Sequence, residues 1–122
     1  MLFRSRIYFT GPIYENKIIN NLRYFSNLYF HGHSVGGTNP SLLEAMGSNC
    51  LIAAHSNEFN KGVLGNNAFY FSVVDEVKKI IESQRKEYSE SKILLEKNKN
   101  EVSENYNWKK IVEQYEDILT SK

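Results

Sequence analysis

The chain has 122 residues, which is room for one domain, and 41% of them are hydrophobic, as is usual in globular proteins. A net charge of +1 argues against a dedicated nucleic-acid binder, since such proteins usually present a basic face. No apolar run approaches the roughly 20 residues that a membrane span requires, so we expect a soluble chain. The single cysteine, Cys50, excludes an intramolecular disulfide and points to a reducing compartment. Because Cys50 lies in an apolar run, we predict a buried, inert thiol.

Short apolar strands and amphipathic helices alternate along the first two-thirds of the chain. The pattern predicts strands at residues 6–13, 27–31, 49–55 and 68–71. It predicts helices between them at residues 14–25, 40–47 and 58–64. This alternation is typical of a parallel α/β sheet.

The last third of the chain is predicted to be helical. Ser72 opens one helix, and Asp75, three residues on, completes a capping-box pattern. Residues 84–105 are strongly charged and are predicted to form a helix. Asn107 is the expected N-cap of the last helix, whose apolar residues recur at helical spacing: Trp108, Ile111, Val112, Tyr115, Ile118 and Leu119.

These elements predict a single domain over residues 1–122, with an α/β part at 1–72 and a helical part at 73–122. The fold class is α/β, a Rossmann-like parallel sheet of about four strands with C-terminal helices.

The stretch most indicative of function is the loop Gly36-Gly37-Thr38-Asn39, which lies between a predicted strand and a predicted helix. Asn39 is the natural N-cap, and Pro40 suits the first helical turn. Glycines allow a ligand to approach the backbone closely. The free N–H groups and the dipole of the helix N-terminus suit an anion, phosphate above all. An ordinary strand-to-helix turn is the alternative, and on composition alone it is the commoner one.

Histidines follow two of the predicted strands. Ligands of open α/β sheets bind at the carboxyl ends of strands, where His31 and His33 lie. We therefore predict that His33 and Ser34 contact the phosphate and that His55, after the next strand, joins the same crevice. A zinc site is not expected, because there is one cysteine and no further ligand at a suitable spacing.

Glu44 follows the loop on the predicted helix, where its carboxylate can accept hydrogen bonds from vicinal hydroxyls such as those of a ribose. The alternative is a capping box with Ser41, since Ser-x-x-Glu is that pattern. Pro40 argues against the box, because Glu44 is too deep in the helix if Pro40 is its first residue. No Ser-His-Asp set or pair of acid–base carboxylates is present, so no catalytic residue is predicted.

Two motifs carry a resemblance to a known family. HGHSVGGTNPSLLEAM at residues 31–46, followed by EFNKGVLGNNAFYF at 58–71, resembles the C-terminal half of family 4 glycosyltransferases of the GT-B fold. The likeness is greatest to the bacterial rhamnosyltransferase branch and runs through residues 6–119. It implies a partial GT-B C-terminal domain that takes part in transferring a sugar, with retention, from a nucleotide-diphosphate donor. The acceptor would be a polysaccharide or lipid-linked glycan, and the resemblance implies no metal or other cofactor.

The resemblance also assigns residue roles. It implies that Gly36 to Asn39 bind the donor diphosphate and that Glu44, matching the second glutamate of the family motif, holds the nucleotide's sugar. Gly36 stands where the wider family has its first glutamate, which contacts the donor sugar. The rhamnosyltransferase branch shares this glycine, so a deoxysugar donor such as rhamnose is compatible with the sequence.

The expected state of the protein follows from its length. Family members carry two Rossmann-like domains, and here the N-terminal acceptor domain and the first two strands of the donor domain have no counterpart. We expect a fragment, natural or engineered, that is inactive alone; the full-length enzyme would be cytoplasmic and peripheral at the inner membrane face. Either residues 6–13 pair beside 27–31, giving a four-stranded sheet of order 1-2-3-4, or another copy fills the gap. Bare strand edges and aromatic-rich strands predict a homodimer.

Two other classes of function stay open. One is a non-catalytic phosphate- or nucleotide-binding module that uses the same loop. The other is a small α/β signalling domain, which requires an acidic cluster at the strand ends that the sequence does not show.

Overall fold

The computed structural model describes residues 7–121 of the chain. Over this range there are three strands and six helices. Their bounds are α1 Asn16–Phe25, β1 Tyr29–His31, α2 Pro40–Gly47, β2 Ile52–His55, α3 Glu58–Leu64, β3 Phe69–Phe71, α4 Val74–Ser83, α5 Ser89–Asn105 and α6 Trp108–Thr120.

The three strands form one parallel sheet in the order β1-β2-β3. Tyr29 of β1 lies opposite Ile52 of β2, and Ala53 of β2 lies opposite Phe69 of β3. Each consecutive pair of strands is connected through a helix, α2 or α3, as parallel neighbours require. The prediction of a parallel α/β sheet is therefore confirmed.

The predicted first strand is the main error of the sequence analysis. Residues 7–13 form no strand, and Arg6 lies outside the described residues. The side chains of Tyr8 and Phe9 are exposed. β-prone residues favour a strand only where a neighbour pairs with the backbone, and this segment is not hydrogen-bonded to the edge of β1. The sheet therefore has three strands, and the four-stranded order 1-2-3-4 is wrong for the described part of the chain.

Helix α2 packs against one face of the sheet and forms the centre of the core. Pro40 is its first residue, and Asn39 caps it, both as predicted. Leu42, Ala45 and Met46 recur at helical spacing and are fully buried. They form one cluster with residues of β2, of the segment before it and of α3, namely Cys50, Ile52, Ala54, Val63 and Leu64.

The first two C-terminal helices, α4 and α5, begin later than the sequence predicts. The Glu76 carboxylate, rather than that of Asp75, accepts hydrogen bonds from the N–H groups of Ser72 and Val73, at 2.6 and 3.3 Å. The first residues of the predicted helix 84–105 are not helical. Asn27 holds them, because its amide donates to the Gln84 carbonyl and its oxygen accepts from the backbone N–H of Lys86.

Helix α6 is amphipathic, but none of its residues is buried. Asn107 is its N-cap as predicted, since the side chain accepts a hydrogen bond from the N–H of Lys110 at 2.9 Å. None of the helices between residues 7 and 121 combines the length and the apolar character needed to cross a membrane.

Candidate functional site

The loop of residues 32–39 leaves the carboxyl end of β1 and leads to the N-terminus of α2. Strand β2 runs parallel to β1, so its last residue, His55, ends at the same edge of the sheet. Ligand sites of open α/β sheets lie at this edge. The structure thus brings His33, the glycine loop and His55 to one edge, as predicted.

Two asparagines connect this loop to the next strand. The buried side chain of Asn60 donates to the carbonyls of His33 and His55, at 3.1 and 2.9 Å. Asn57 also donates to the His33 carbonyl, at 3.0 Å, and caps α3 by accepting from the Asn60 N–H. Neither residue was predicted to have a role, although two asparagines three apart after a strand are a usable capping signal. Their effect is to fix the start of the loop.

The centre of the loop is open to solvent. Gly36 has a φ of 108°, a conformation that residues with a side chain rarely adopt. A Cβ added to either Gly36 or Gly37 would meet no atom within 4 Å. Thr38 and Ser34 are exposed as well. The predicted diphosphate-binding residues therefore lie on an accessible surface, and the glycine at position 36 is required by its backbone conformation.

The N–H groups of the helix itself are already occupied. Pro40 has none, and the N–H of Ser41 donates to the Asn39 side chain at 3.0 Å. The N–H groups of Leu42 and Leu43 donate to the Asn39 carbonyl. The expectation that the first turn of α2 offers free N–H groups to an anion is therefore wrong, because Asn39 satisfies them.

Free N–H donors lie in the loop that precedes the helix. Within residues 7–121, the backbone N–H groups of Gly36, Gly37, Thr38 and Asn39 have no hydrogen-bond acceptor. They precede a helix whose dipole is positive at this end. Successive N–H groups in a turn can surround an anion. The loop backbone, rather than the helix, is therefore the part suited to a phosphate.

His31, the last residue of β1, is buried, and its two ring nitrogens have no partner within the described residues. Its ring stacks on that of the exposed His33, with ring centroids 4.7 Å apart. Burial lowers the pKa of His31, and the charge of His33 lowers it further. Both effects favour the neutral form of the His31 ring.

Glu44 is held by an arginine that the sequence analysis did not identify. Its Oε2 lies 2.9 Å from Nη1 of Arg23 on α1, and 59% of the Glu44 side chain is exposed. Arg23 is buried, with its guanidinium 5.8 Å from the centroid of the Tyr29 ring. Ser41 bonds to Asn39 and not to Glu44, so the capping-box alternative is wrong. One carboxylate oxygen of Glu44, Oε1, remains without a partner inside the described range.

Cys50 is buried, and its thiol donates to the Ala45 carbonyl at 3.0 Å. Burial raises the pKa of Cys50 to about 11. The thiolate is the reactive form, so the predicted inert thiol is confirmed.

Other features of the surface do not point to chemistry. Across residues 7–121, no three His, Cys, Asp or Glu side chains lie close enough together to hold a metal ion. Grooves lie elsewhere: one of about 470 Å³ runs along α1, beside Leu22 and Phe25, and one of about 440 Å³ is lined by Lys86 and Lys92.

Comparison with known proteins gives a relative and no family. No protein-family model matches the chain. The chain is similar to an uncharacterized glycosyltransferase of Methanocaldococcus jannaschii, with 34% identity over 118 residues. The match takes in 93% of this chain and 30% of that protein, so the chain spans less than a third of the relative's length. This similarity agrees with the expected likeness to glycosyltransferases. The assignments to family 4 and to the rhamnosyltransferase branch stay predictions.

Proposed function

We propose that the chain is the donor-binding part of a glycosyltransferase and that its loop 36–39 binds the diphosphate of a nucleotide sugar. The observation that carries this proposal is the set of unoccupied N–H groups at the carboxyl edge of a parallel sheet. The similarity to a protein named as a glycosyltransferase supports the reaction class.

The loop would act on the leaving group. When the bond between sugar and diphosphate breaks, negative charge grows on the diphosphate oxygens. Fixed N–H donors stabilise that charge without having to reorganise during the reaction. The Ser34 hydroxyl and the His33 ring, both exposed, would add further donors. This contribution needs no metal ion.

Glu44 would hold the nucleotide's sugar. Arg23 fixes one carboxylate oxygen, which orients the group and leaves Oε1 to accept hydrogen bonds from the hydroxyls of a ribose or deoxyribose. A partly exposed carboxylate can do this without a large desolvation cost.

The finer assignment follows the resemblance to family 4. The donor would be a nucleoside-diphosphate sugar, with rhamnose as the candidate because Gly36 replaces the glutamate that contacts a hexose. Transfer would retain the anomeric configuration and would deliver the sugar to a polysaccharide or lipid-linked glycan at the cytoplasmic membrane face. We place acceptor binding outside the 30% of the relative that this chain matches, and we expect no transfer by the 122-residue chain alone.

Calorimetric titration with a panel of nucleoside diphosphates tests the role of Glu44. Glu44→Ala should weaken binding by roughly 1.5–3 kcal/mol, about tenfold to over a hundredfold, because a charged hydrogen bond is lost. Glu82→Ala is the matched control: it also removes a partly exposed carboxylate from an ion pair, here with Lys78 on α4, so binding should change little. A nucleotide whose sugar lacks hydroxyls should bind the parent and Glu44→Ala equally well.

The titrations distinguish a wrong role for Glu44 from a wrong function for the chain. Equal binding of the parent and Glu44→Ala would show that Glu44 has no part in the site. If the folded parent chain binds no nucleoside diphosphate, the proposed function itself is wrong.

A further inference from the structure

Helix α6 presents an apolar stripe that is largely exposed in the described chain, with only Ile111 half-buried. The exposed fractions are 81% for Trp108, 65% for Tyr115, 72% for Ile118 and 81% for Leu119. The helix has 13 residues and no buried side chain. Helices of this length are marginal in water unless an apolar face packs against a partner.

The spacing of the stripe is that of a helix-pairing seam. Its residues fall into three pairs seven positions apart, Trp108 with Tyr115, Ile111 with Ile118, and Val112 with Leu119. A seven-residue repeat keeps a seam facing a second helix of the same kind. The stripe is therefore suited to a long, narrow partner.

The charges beside the stripe specify the direction of that partner. Lys109 and Glu116 are also seven positions apart, so they lie on the same flank, one near each end of the helix. In a parallel pair of α6 helices this flank would face the opposite flank of the partner, so the two charges would not meet across the seam. In an antiparallel pair Lys109, whose Nζ lies 3.9 Å from Glu113 of its own helix, would also lie beside Glu116 of the second copy, and this would happen twice.

We propose that the chain forms a two-fold symmetric dimer through α6, with the two helices antiparallel and the stripes in contact. A two-fold contact uses the same patch on both copies, as this self-complementary pattern requires. Two aromatic side chains of about 150–250 Å² each, with four aliphatic ones, approach the roughly 800 Å² that each partner contributes to a standard interface. This dimer uses α6 rather than the strand edges, and it does not depend on the function of the loop.

Sedimentation equilibrium over a concentration series tests the assembly. The full chain should associate reversibly from 14.2 kDa to twice that mass. Tyr115→Glu, in the middle of the stripe, should abolish association. Val74→Glu is the matched control, because Val74 is 82% exposed on α4, outside the stripe, and should leave association unchanged. A parent chain that stays at 14.2 kDa at the highest concentration overturns the proposal, whatever else covers α6.

Cysteine crosslinking tests the direction and does not depend on a disruptive variant. Trp108 and Leu119 lie eleven positions apart, about 16 Å along the helix, and a disulfide tolerates no more than about 7 Å between Cα atoms. Trp108→Cys alone should therefore not crosslink to itself, whereas a mixture of Trp108→Cys and Leu119→Cys should crosslink. If Trp108→Cys crosslinks to itself and the mixture gives no crosslink between Trp108→Cys and Leu119→Cys, the helices are parallel and the proposal is contradicted. The native Cys50 is buried and does not interfere.

Discussion

Helices α2 and α6 both carry a periodic apolar face, yet the chain buries only one of them. On α2 the side chains of Leu42, Ala45 and Met46 are fully buried, whereas no side chain of α6 is. The periodicity of the two segments predicts two helices and identifies the apolar side of each. It does not identify what covers that side.

The difference follows from position in the chain. Helix α2 connects two adjacent parallel strands, and a crossover of this kind has to return over the face of the sheet. The crossover therefore places the apolar side of α2 against the sheet, which covers it. Helix α6 follows β3 with α4 and α5 between, so it does not connect two strands of the described sheet.

The largest expected difference between α2 and α6 is in how much a truncated side chain lowers the free energy of unfolding. Leu42→Ala, in α2, should lower the free energy of unfolding by about 2–5 kcal/mol, because it leaves a cavity in the core. Leu119→Ala, the matched truncation in α6, should change it by no more than about 0.5 kcal/mol at concentrations too low for the proposed dimer to form. Urea denaturation measures both. A comparable loss for Leu119→Ala would show that α6 is packed against the chain, and the comparison would fail.

A smaller effect is expected from the buried histidine at the end of β1. Burial lowers the pKa of His31 below 6.5, so the unfolded chain takes up this proton at a higher pH than the folded chain does. By linkage, the contribution of His31 to stability is fully present above pH 6.5 and is lost as the pH falls from there through the folded pKa. Urea midpoints measured from about pH 8 to about pH 5 should fall less for His31→Leu than for the parent.

The exposed His33 supplies the control for that measurement. His33→Gln should retain most of the loss of stability in acid, since burial is the larger cause of the shift at His31. If His31→Leu loses as much stability in acid as the parent does, the buried histidine is not its source.

Local patterns predicted the centre of the fold well. Helices α2 and α3 have the predicted bounds. Asn39 marks the start of α2 as predicted, and Asn57, which was not predicted as a cap, marks the start of α3. The parallel sheet followed from the alternation of strands and helices. The strand predicted at 6–13 failed, because aromatic and β-branched residues show a preference for extended backbone and do not supply a neighbouring strand.

The candidate site was predicted in outline. The loop residues, His33 and His55 lie at one edge of the sheet as the motif implied, and Asn60 connects them. The pairing of Arg23 with Glu44 joins residues 21 positions apart on two helices, which no local pattern in the sequence reveals. Nor could the sequence show that the Asn39 cap occupies the helix N–H groups and leaves the free donors in the loop.

The central claim is that the backbone N–H groups of the loop 36–39 bind a diphosphate. Amide chemical shifts of the isotope-labelled chain, followed during titration with inorganic diphosphate and with nucleoside diphosphates, test it most directly. We expect saturable shifts at Gly36, Gly37 and Thr38, with smaller changes at Ser41 and Leu42, whose N–H groups are already bonded. Loop amides that stay unchanged at saturating nucleotide, or shifts confined to another surface, would contradict it.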